Sequence, residues 1–208
     1  LSVVGNRVLV GHWTYLEATG HLEKELPFAP ITALGDKIAI LHYQNKRGSE
    51  AGPQKSFMLD AGAVVEGYAS DITRTWALDD ADPRYTKLIE GMDALERELV
   101  EMIAPGVSYV DVHVASHRKV GALLAEIGVV TCSGQEAIDK GLTRTFLPHG
   151  VGHHLGIQVH DVGGHQAEPG GGAAPPPAEY PFLRNTRTLE PGHVVTIEPG
   201  IYFTPVLL

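Results

Sequence analysis

Two strand-like runs joined by a tight turn constrain most strongly what this chain can fold into. The runs cover residues 56–65 and 68–78, are apolar or β-prone, and meet at Glu66 and Gly67. Runs of this kind around a short turn that contains glycine predict an antiparallel hairpin. The hairpin places its two arms side by side, so residues of one arm can meet residues of the other.

Each arm carries one aspartate. Asp60 and Asp71 are eleven residues apart, and a turn near residues 65–67 places them opposite or diagonally across the hairpin. Two carboxylates held together repel, so one must be protonated or a cation must lie between them. The pair therefore predicts a metal site, and the alternative is that both are ordinary turn or capping aspartates.

Two amphipathic helices follow the hairpin. Asp82 before Pro83 is typical of a helix start, and the Pro-Gly pair at residues 105–106 ends the apolar periodicity. A second helix is predicted from a Ser108 cap to Gly128, and we interpret both helices as scaffold without chemistry. The expected inner side of the second helix is formed by Val110, Val114, Leu124 and Ile127.

The remaining pattern indicates an α+β architecture. Apolar runs at residues 38–43 and 193–198 predict a buried strand and a strand that ends at a Pro-Gly turn. The Gly/Pro/Ala-rich stretch 168–179 predicts an exposed loop, and a domain linker is the alternative. Helices that alternate with antiparallel hairpins are typical of α+β folds.

Composition limits the class of protein. The 208 residues are 43% hydrophobic, which is enough for one well-cored domain, so a single domain over residues 1–208 is expected. The net charge of −9 disfavours a nucleic-acid or anionic-membrane partner, and no apolar run is long enough to span a bilayer. A single cysteine, Cys132, fits a reducing compartment such as the cytoplasm. The missing initiator methionine and the apolar last residues lead us to expect a fragment truncated at both ends.

Residues 147–164 contain a cluster of histidines. The stretch holds His149, His153, His154 and His160 and also Asp161. The four-residue spacing of the first two resembles a zinc-binding helix, but the glutamate that such a helix needs is absent and the glycines argue against a helix. A Gly-rich loop that presents imidazoles to a cleft is expected, and a solvated loop is the alternative.

Glu198 is the third feature that could carry chemistry. It ends the run 193–198 before a Pro-Gly turn, which places it at the mouth of a sheet, and a surface acid is the alternative. Asp60, Asp71, Glu198 and one histidine suit hard or borderline divalent cations, and the lack of nearby cysteines disfavours a structural zinc or iron–sulfur site. Two metal ions require about ten coordinating atoms. These four side chains offer fewer, so one ligand is missing.

Three segments in this order make the pattern recognisable. The chain resembles the Xaa-Pro dipeptidase (prolidase) family of pita-bread metallopeptidases in MLDAGAVVEGYASDITRTW, LPHGVGHHLGIQVHDVGG and TIEPGIYF. The resemblance extends from Tyr15 to the C-terminus and is closest to bacterial prolidases, including those described as organophosphorus acid anhydrolases. It implies a pita-bread (creatinase/aminopeptidase-like) fold, an Xaa-Pro dipeptide substrate and a homodimer. It also implies two divalent metal ions, with Mn²⁺ expected and Co²⁺ or Zn²⁺ as alternatives.

The resemblance further implies a set of metal ligands. Asp60 resembles the bidentate ligand of one metal, and Asp71 resembles the carboxylate that bridges both metals. His153 is similar to the imidazole ligand of the second metal. Glu198 resembles an acid that binds this second metal and accepts a proton from the nucleophilic water. The family's fifth ligand, a bridging glutamate, is expected beyond residue 208, and the family's N-terminal domain is expected to be absent.

Substrate-binding residues follow from the same resemblance. His42, His149 and His160 match substrate-pocket histidines that hold the scissile carbonyl or the tetrahedral intermediate. His149 and His160 are therefore expected to act in catalysis together with Glu198. Arg184 matches the arginine that binds the terminal carboxylate of the substrate. Such a clamp explains a preference for dipeptides, because a longer peptide has no carboxylate at that place.

Three alternative functions stay open. Aminopeptidase P and methionine aminopeptidase share the fold, but they accept longer peptides and need no arginine clamp. Hydrolysis of organophosphate triesters is a side activity that the same metal site would support. A non-catalytic relative would use the fold as a binding module. Such relatives usually lose metal ligands, whereas all four expected ligands are present here.

Overall fold

The computed structural model describes residues 7–46 and 54–204, which fall into two compact units. The first unit comprises the described part of the chain up to Thr86, together with Gly156–Val159 and the stretch from Tyr202 onward. The second unit comprises Lys87–Leu155 and His160–Ile201. The expectation of a single domain over residues 1–208 stays a prediction.

The first unit is built around a three-stranded antiparallel sheet. Its helices and strands, in chain order, are α1 (Arg7–Thr19), β1 (Ile31–Leu34), β2 (Ser56–Ala61), β3 (Val64–Val65), β4 (Tyr68–Ala69) and β5 (Ile72–Ala77). Strand β2 lies between β1 and β5, while β3 pairs with β4 as a separate small hairpin. Helix α1 packs against β1.

The predicted hairpin is confirmed by the pairing of β2 with β5. Asp60 lies opposite Thr73, so Asp71, two residues earlier, lies diagonally across from Asp60. At the tip, Glu66 and Gly67 have positive φ angles of 51° and 85°. Positive φ at both central residues is typical of the tight turns that match the twist of a hairpin. The register therefore places the two aspartates diagonally, as the sequence predicted.

The strand predicted at residues 38–43 is wrong. The strand of this region is β1, which ends earlier, and Gly35–Ala39 forms a 3₁₀ helix instead. All four residues of β1 are buried, whereas Ile40 and Leu41 are exposed. An apolar run alone does not decide which segment enters a sheet, because the buried backbone groups must also find partners, and β1 finds them on β2.

The second unit is mainly helical. Its elements are α2 (Pro83–Glu101, which begins in the first unit), α3 (Tyr109–Glu126), α4 (Gly134–Asp139), α5 (Leu142–Phe146), β6 (Gln166–Glu168) and β7 (Gly171–Ala173). Asp82 accepts the Arg84 backbone N–H at 2.8 Å, and Ser108 is the N-cap residue of α3. Both predicted helices are therefore confirmed. In the part of the chain that the structure describes, every helix is too short or too polar to cross a membrane.

Two predictions for the second half of the chain need correction. The exposed loop predicted at residues 168–179 is wrong in part, because β6 pairs with β7 as a hairpin. Gly171, the first residue of β7, has a φ of 120°, a backbone conformation that glycine adopts readily. The strand predicted at residues 193–198 is extended backbone with one isolated bridge, between His154 and Val195.

The core of the second unit anchors the histidine-containing segment. Leu95 and Leu99 of α2 pack together with Leu124 of α3 in one apolar cluster. Leu147 and Val151, which lie on either side of His149 in the sequence, belong to this cluster and are 1% and 0% exposed. Burial of an aliphatic side chain stabilises by about 1.5–3 kcal/mol. These contacts therefore hold a glycine-rich segment that has little regular structure of its own.

Candidate metal centre

Two extended segments of the second unit bring one histidine and one glutamate together. The Glu198 N–H donates to the Val151 carbonyl at 2.8 Å, and the Thr196 N–H donates to the His153 carbonyl at 2.9 Å. These hydrogen bonds make the two segments antiparallel neighbours. Their pairing places the His153 imidazole beside the Glu198 carboxylate.

The facing atoms of this pair suit a bound cation. His153 Nε2 lies 3.1 Å from Glu198 Oε1. His153 Nδ1 lies 2.8 Å from the His154 carbonyl oxygen, which can only accept, so Nδ1 carries a hydrogen and donates it. In a neutral ring Nε2 then presents a lone pair to the carboxylate, and two acceptors at this distance require a proton or a cation between them. An imidazole nitrogen and a carboxylate oxygen fit a borderline divalent ion.

Several influences act on the pKa of the Glu198 carboxyl. Burial is the largest of them and raises this pKa, because it disfavours the charged form. The hydrogen bond and charge of His153, the charge of His149 and the hydrogen bond from the Thr196 hydroxyl lower the pKa and together outweigh burial. The pKa of Glu198 therefore lies below its ordinary value. An ionised carboxylate can bind a cation or accept a proton at neutral pH.

Thr196 joins the two segments to each other and to helix α3. Its hydroxyl accepts the His153 N–H at 3.0 Å and donates to Glu198 Oε1 at 3.0 Å. Its carbonyl accepts a hydrogen bond from the Tyr109 hydroxyl at 2.6 Å. Burial raises the pKa of Tyr109, so the phenol keeps the hydrogen that it donates. One threonine thus holds both the Glu198 carboxylate and the His153 backbone.

Gly152→Ala is expected to destabilise the protein by about 1–3 kcal/mol through overpacking. A methyl group on Gly152 would overlap the Thr196 carbonyl oxygen and the Tyr109 hydroxyl. Chemical denaturation followed by circular dichroism measures the change in the free energy of unfolding. Gly170→Ala is the matched control, because nothing lies within 4 Å of a methyl group added there. Equal losses in the two variants would contradict the close approach at Gly152.

The other predicted residues of the second unit lie around this pair. The His160 ring packs edge-to-face on the His153 ring, with 4.4 Å between the centroids. The charge of His149 acts on Glu198, and His149 Nδ1 lies 2.7 Å from the carbonyl oxygen of the next residue. Arg184 has an exposed side chain, and its backbone lies close to Gly150, the residue after His149. The three histidines and the glutamate therefore share one region of this unit.

The first unit contains the other predicted ligands. Asp60 and Asp71 are half-buried, and the Oδ1 atom of Asp60 is fully buried. Burial and, to a lesser extent, the charge of Asp60 raise the pKa of Tyr15, which places this tyrosine near the carboxylate. His42 is exposed and directly precedes the buried Tyr43. The first unit thus carries a pair of carboxylates and one of the predicted substrate histidines.

The four predicted ligands occur as two pairs, Asp60 with Asp71 and His153 with Glu198. Over residues 7–46 and 54–204, no group of three or more histidine, cysteine, aspartate or glutamate side chains forms a cluster that could hold a metal ion. Asp60 and Asp71 belong to the first unit, and His153 and Glu198 belong to the second. The assignment of all four side chains to one metal centre stays a prediction.

The sequence patterns missed a buried polar stripe on α3. Tyr109, His113 and His117 are spaced four residues apart and are only 0%, 2% and 1% exposed. Val110 and Val114 of the predicted inner side are partly buried and pack against the apolar core, so the prediction holds for them, but it left out the polar stripe. The available signal was the four-residue spacing of large polar side chains, which aligns them on one helix face.

Comparison with known sequences gives consistent matches. The family model described as metallopeptidase family M24 matches residues 10–206. Xaa-Pro dipeptidases from Marinobacter nauticus and Shewanella woodyi are 47% and 45% identical to this chain over 195 and 194 residues. Each alignment covers 93% of this chain and 44% of the relative. The chain therefore spans less than half the length of these curated relatives.

Solved structures match over nearly the whole chain. Aminopeptidase PepP of Pseudomonas aeruginosa matches with a TM-score of 0.76 and 29% identity, over 96% of this chain and 42% of that chain. A histidine-to-alanine variant of Escherichia coli aminopeptidase P gives a TM-score of 0.76 and 26% identity, over 94% and 41%. The fold described above is thus similar to a part of these larger chains.

Proposed function

This chain belongs to metallopeptidase family M24, and from that premise we propose that it carries part of the active site of a metal-dependent Xaa-Pro dipeptidase. The observation that carries the proposal is the His153–Glu198 pair, whose facing nitrogen and oxygen atoms are 3.1 Å apart. Relatives named Xaa-Pro dipeptidase are 44–47% identical to the chain, whereas the aminopeptidase P structures are 26–29% identical. This difference supports a dipeptidase over an aminopeptidase.

Asp60, Asp71, His153 and Glu198 would hold two divalent ions. The resemblance leads us to propose Mn²⁺, with Co²⁺ and Zn²⁺ as alternatives, and carboxylate oxygens with a single imidazole suit hard or borderline ions of this kind. When bound, such ions lower the pKa of a coordinated water and polarise the scissile carbonyl.

Glu198 would act as the proton acceptor. Its lowered pKa keeps it ionised at neutral pH, and the Thr196 hydroxyl orients its Oε1 atom. A carboxylate placed in this way takes the proton of the attacking water and passes it to the leaving proline nitrogen. His160 would donate a hydrogen bond to the carbonyl oxygen as negative charge develops there. His149 can do so only in its protonated form, because its Nδ1–H already donates to a carbonyl oxygen.

Arg184→Ala is expected to raise KM for an Xaa-Pro dipeptide by about 10–100-fold, because a hydrogen bond to a charged group contributes ~1.5–3 kcal/mol. The substrate's terminal carboxylate would lose its partner, whereas kcat and metal content should change little. Steady-state kinetics and metal analysis on the complete gene product measure these quantities. Arg97→Ala is the control, since Arg97 is an exposed residue of α2 paired with Asp93. An unchanged KM in Arg184→Ala would show that the clamp is assigned to the wrong residue.

The second candidate function is that of an aminopeptidase P, which the TM-scores of 0.76 favour. An enzyme of that type would cleave Xaa-Pro-Yaa tripeptides at least as well as Xaa-Pro dipeptides. A dipeptidase with an Arg184 clamp should prefer the dipeptide, and Arg184→Ala should narrow that preference. Comparing kcat/KM for the two substrates separates the candidates.

Four further proposals accompany the main one. The resemblance supports a homodimer and a side activity on organophosphate triesters. The single cysteine, Cys132, supports a reducing compartment such as the cytoplasm. His42 is proposed to contact the substrate because it matches a pocket histidine.

A further inference from the structure

Helix α3 carries a pair of buried histidines that the reaction described above does not use. His113 and His117 lie one turn apart, and their Nε2 atoms are 3.2 Å from each other. The Tyr180 ring stands edge-on to His113 and stacks on His117, with centroid distances of 4.5 and 4.9 Å. Burial lowers the pKa of His113 to about 3 and that of His117 to about 4. Both rings are therefore neutral at neutral pH.

The hydrogen bonds of this pair assign the hydrogens of both rings. The Val151 backbone N–H donates to His113 Nδ1 at 3.2 Å, so Nδ1 holds the lone pair and Nε2 carries the hydrogen. That hydrogen faces His117 Nε2, which accepts it, so His117 carries its own hydrogen on Nδ1. A metal ion between the two Nε2 atoms would need lone pairs on both of them, and His113 lacks one there. The pair therefore works as a hydrogen-bond chain.

Val151 connects this chain to the candidate metal centre. Its N–H is held by His113, and its carbonyl accepts the Glu198 N–H at 2.8 Å. His149 and His153 lie two residues before and two residues after Val151. The backbone between these two histidines is thus held from α3 on one side and from the Glu198 segment on the other.

We propose that His113 is a positioning residue of this active site. Its imidazole accepts the Val151 N–H and so fixes the segment that carries His149 and His153, while His117 Nε2 accepts the hydrogen on His113 Nε2. An apolar side chain in place of His113 could bury the segment but could not satisfy the N–H. Because a buried N–H without a partner is costly, the segment would shift away from Glu198. The inference rests on the proposed function, but the contact itself exists without metal or substrate.

Two substitutions at His113 separate positioning from simple packing. His113→Phe keeps a ring but removes the hydrogen-bond acceptor. His113→Asn loses the ring but places an amide oxygen near the position of Nδ1, so an acceptor for the Val151 N–H remains. Val120→Ala is the stability control, because Val120 is a fully buried residue of α3 without a polar contact to the site. All variants are made in the complete gene product.

The readouts are amide hydrogen exchange at Val151 in the metal-free protein, and kcat, KM and metal affinity in the loaded protein. In His113→Phe, exchange at Val151 is expected to be about tenfold faster than in Val120→Ala. Metal affinity or kcat should fall by about 10–100-fold, the range seen when a partner that orients a ligand is lost. His113→Asn should restore slow exchange and most of the activity.

The proposal is overturned if Val151 exchanges no faster in His113→Phe than in Val120→Ala, or if His113→Asn behaves like His113→Phe. If His113→Phe does not fold, His113→Asn alone tests the proposal. Slow exchange at Val151 together with a retained kcat in His113→Asn then supports positioning through the acceptor. Fast exchange together with a lost kcat overturns the proposal. A gene product that cleaves no Xaa-Pro dipeptide would refute the proposed function, yet the exchange measurement would still test the role of His113.

Discussion

Asp71→Asn is expected to abolish metal-dependent cleavage of an Xaa-Pro dipeptide by the complete gene product. Asparagine keeps the size of the side chain but loses the charge and one of the two oxygens that can bind a cation. The hairpin should survive, because Asp71 lies just outside β5 and the pairing of Ala61 with Ile72 next to it is made by backbone groups. The loss should therefore come from the metal centre and not from the fold.

The measurement combines a dipeptide assay with metal analysis of the purified protein. Asp71→Asn should bind less metal than the parent at the same Mn²⁺ concentration. Asp79→Asn is the matched control, because Asp79 is an exposed aspartate beyond the end of β5. It should leave both quantities unchanged. Normal turnover and normal metal content in Asp71→Asn would rule out a bridging role for this carboxylate.

Glu198→Gln is expected to lower kcat by about 10²–10⁴-fold, the contribution of a positioned proton acceptor. Glutamine cannot take a proton from water, and its neutral oxygen is a weaker partner for a cation. The free energy of unfolding of the metal-free protein should change by no more than about 1 kcal/mol. The reason is that an amide NH₂ in the place of Oε1 can donate to His153 Nε2 and to the Thr196 hydroxyl oxygen, the two atoms that face Oε1.

A large loss of kcat with little change in the free energy of unfolding would show that the role of Glu198 is chemical and not structural. Glu168→Gln is the control, because Glu168 is an exposed glutamate of β6. It should leave both kcat and stability unchanged. If Glu198→Gln unfolded the protein, or if its kcat stayed within about threefold of the parent's, Glu198 would not be the proton acceptor.

Local sequence signals predicted the hairpin of the first unit and the two long helices, but neither α1 nor β1. The hairpin around Glu66 follows from turn chemistry and strand propensity, which act within a few residues. The start of α2 follows from a capping aspartate before Pro83. The α+β pita-bread fold implied by the resemblance is confirmed by the family match to residues 10–206 and by the TM-scores of 0.76. Patterns of this kind succeed because the interactions behind them are short-range.

The strand predicted at residues 38–43 is wrong, and the buried polar residues of α3 were missed. The predictions for both regions counted apolar residues, and burial also depends on whether polar groups find partners. His113 is buried because the Val151 N–H lies across from it, and Tyr109 is buried because it donates to the Thr196 carbonyl. These partners are distant in the sequence, so no local period reveals them.

The sequence by itself determined which residue types are available for chemistry and which stretches form helices and a hairpin. It named His153 and Glu198, but their distance of 3.1 Å and the nitrogen that faces the carboxylate were decided only by the tertiary structure. The physical reason is that a hydrogen-bond partner from a remote segment chooses the tautomer and orientation of each imidazole. Local periodicity carries no information about such a partner.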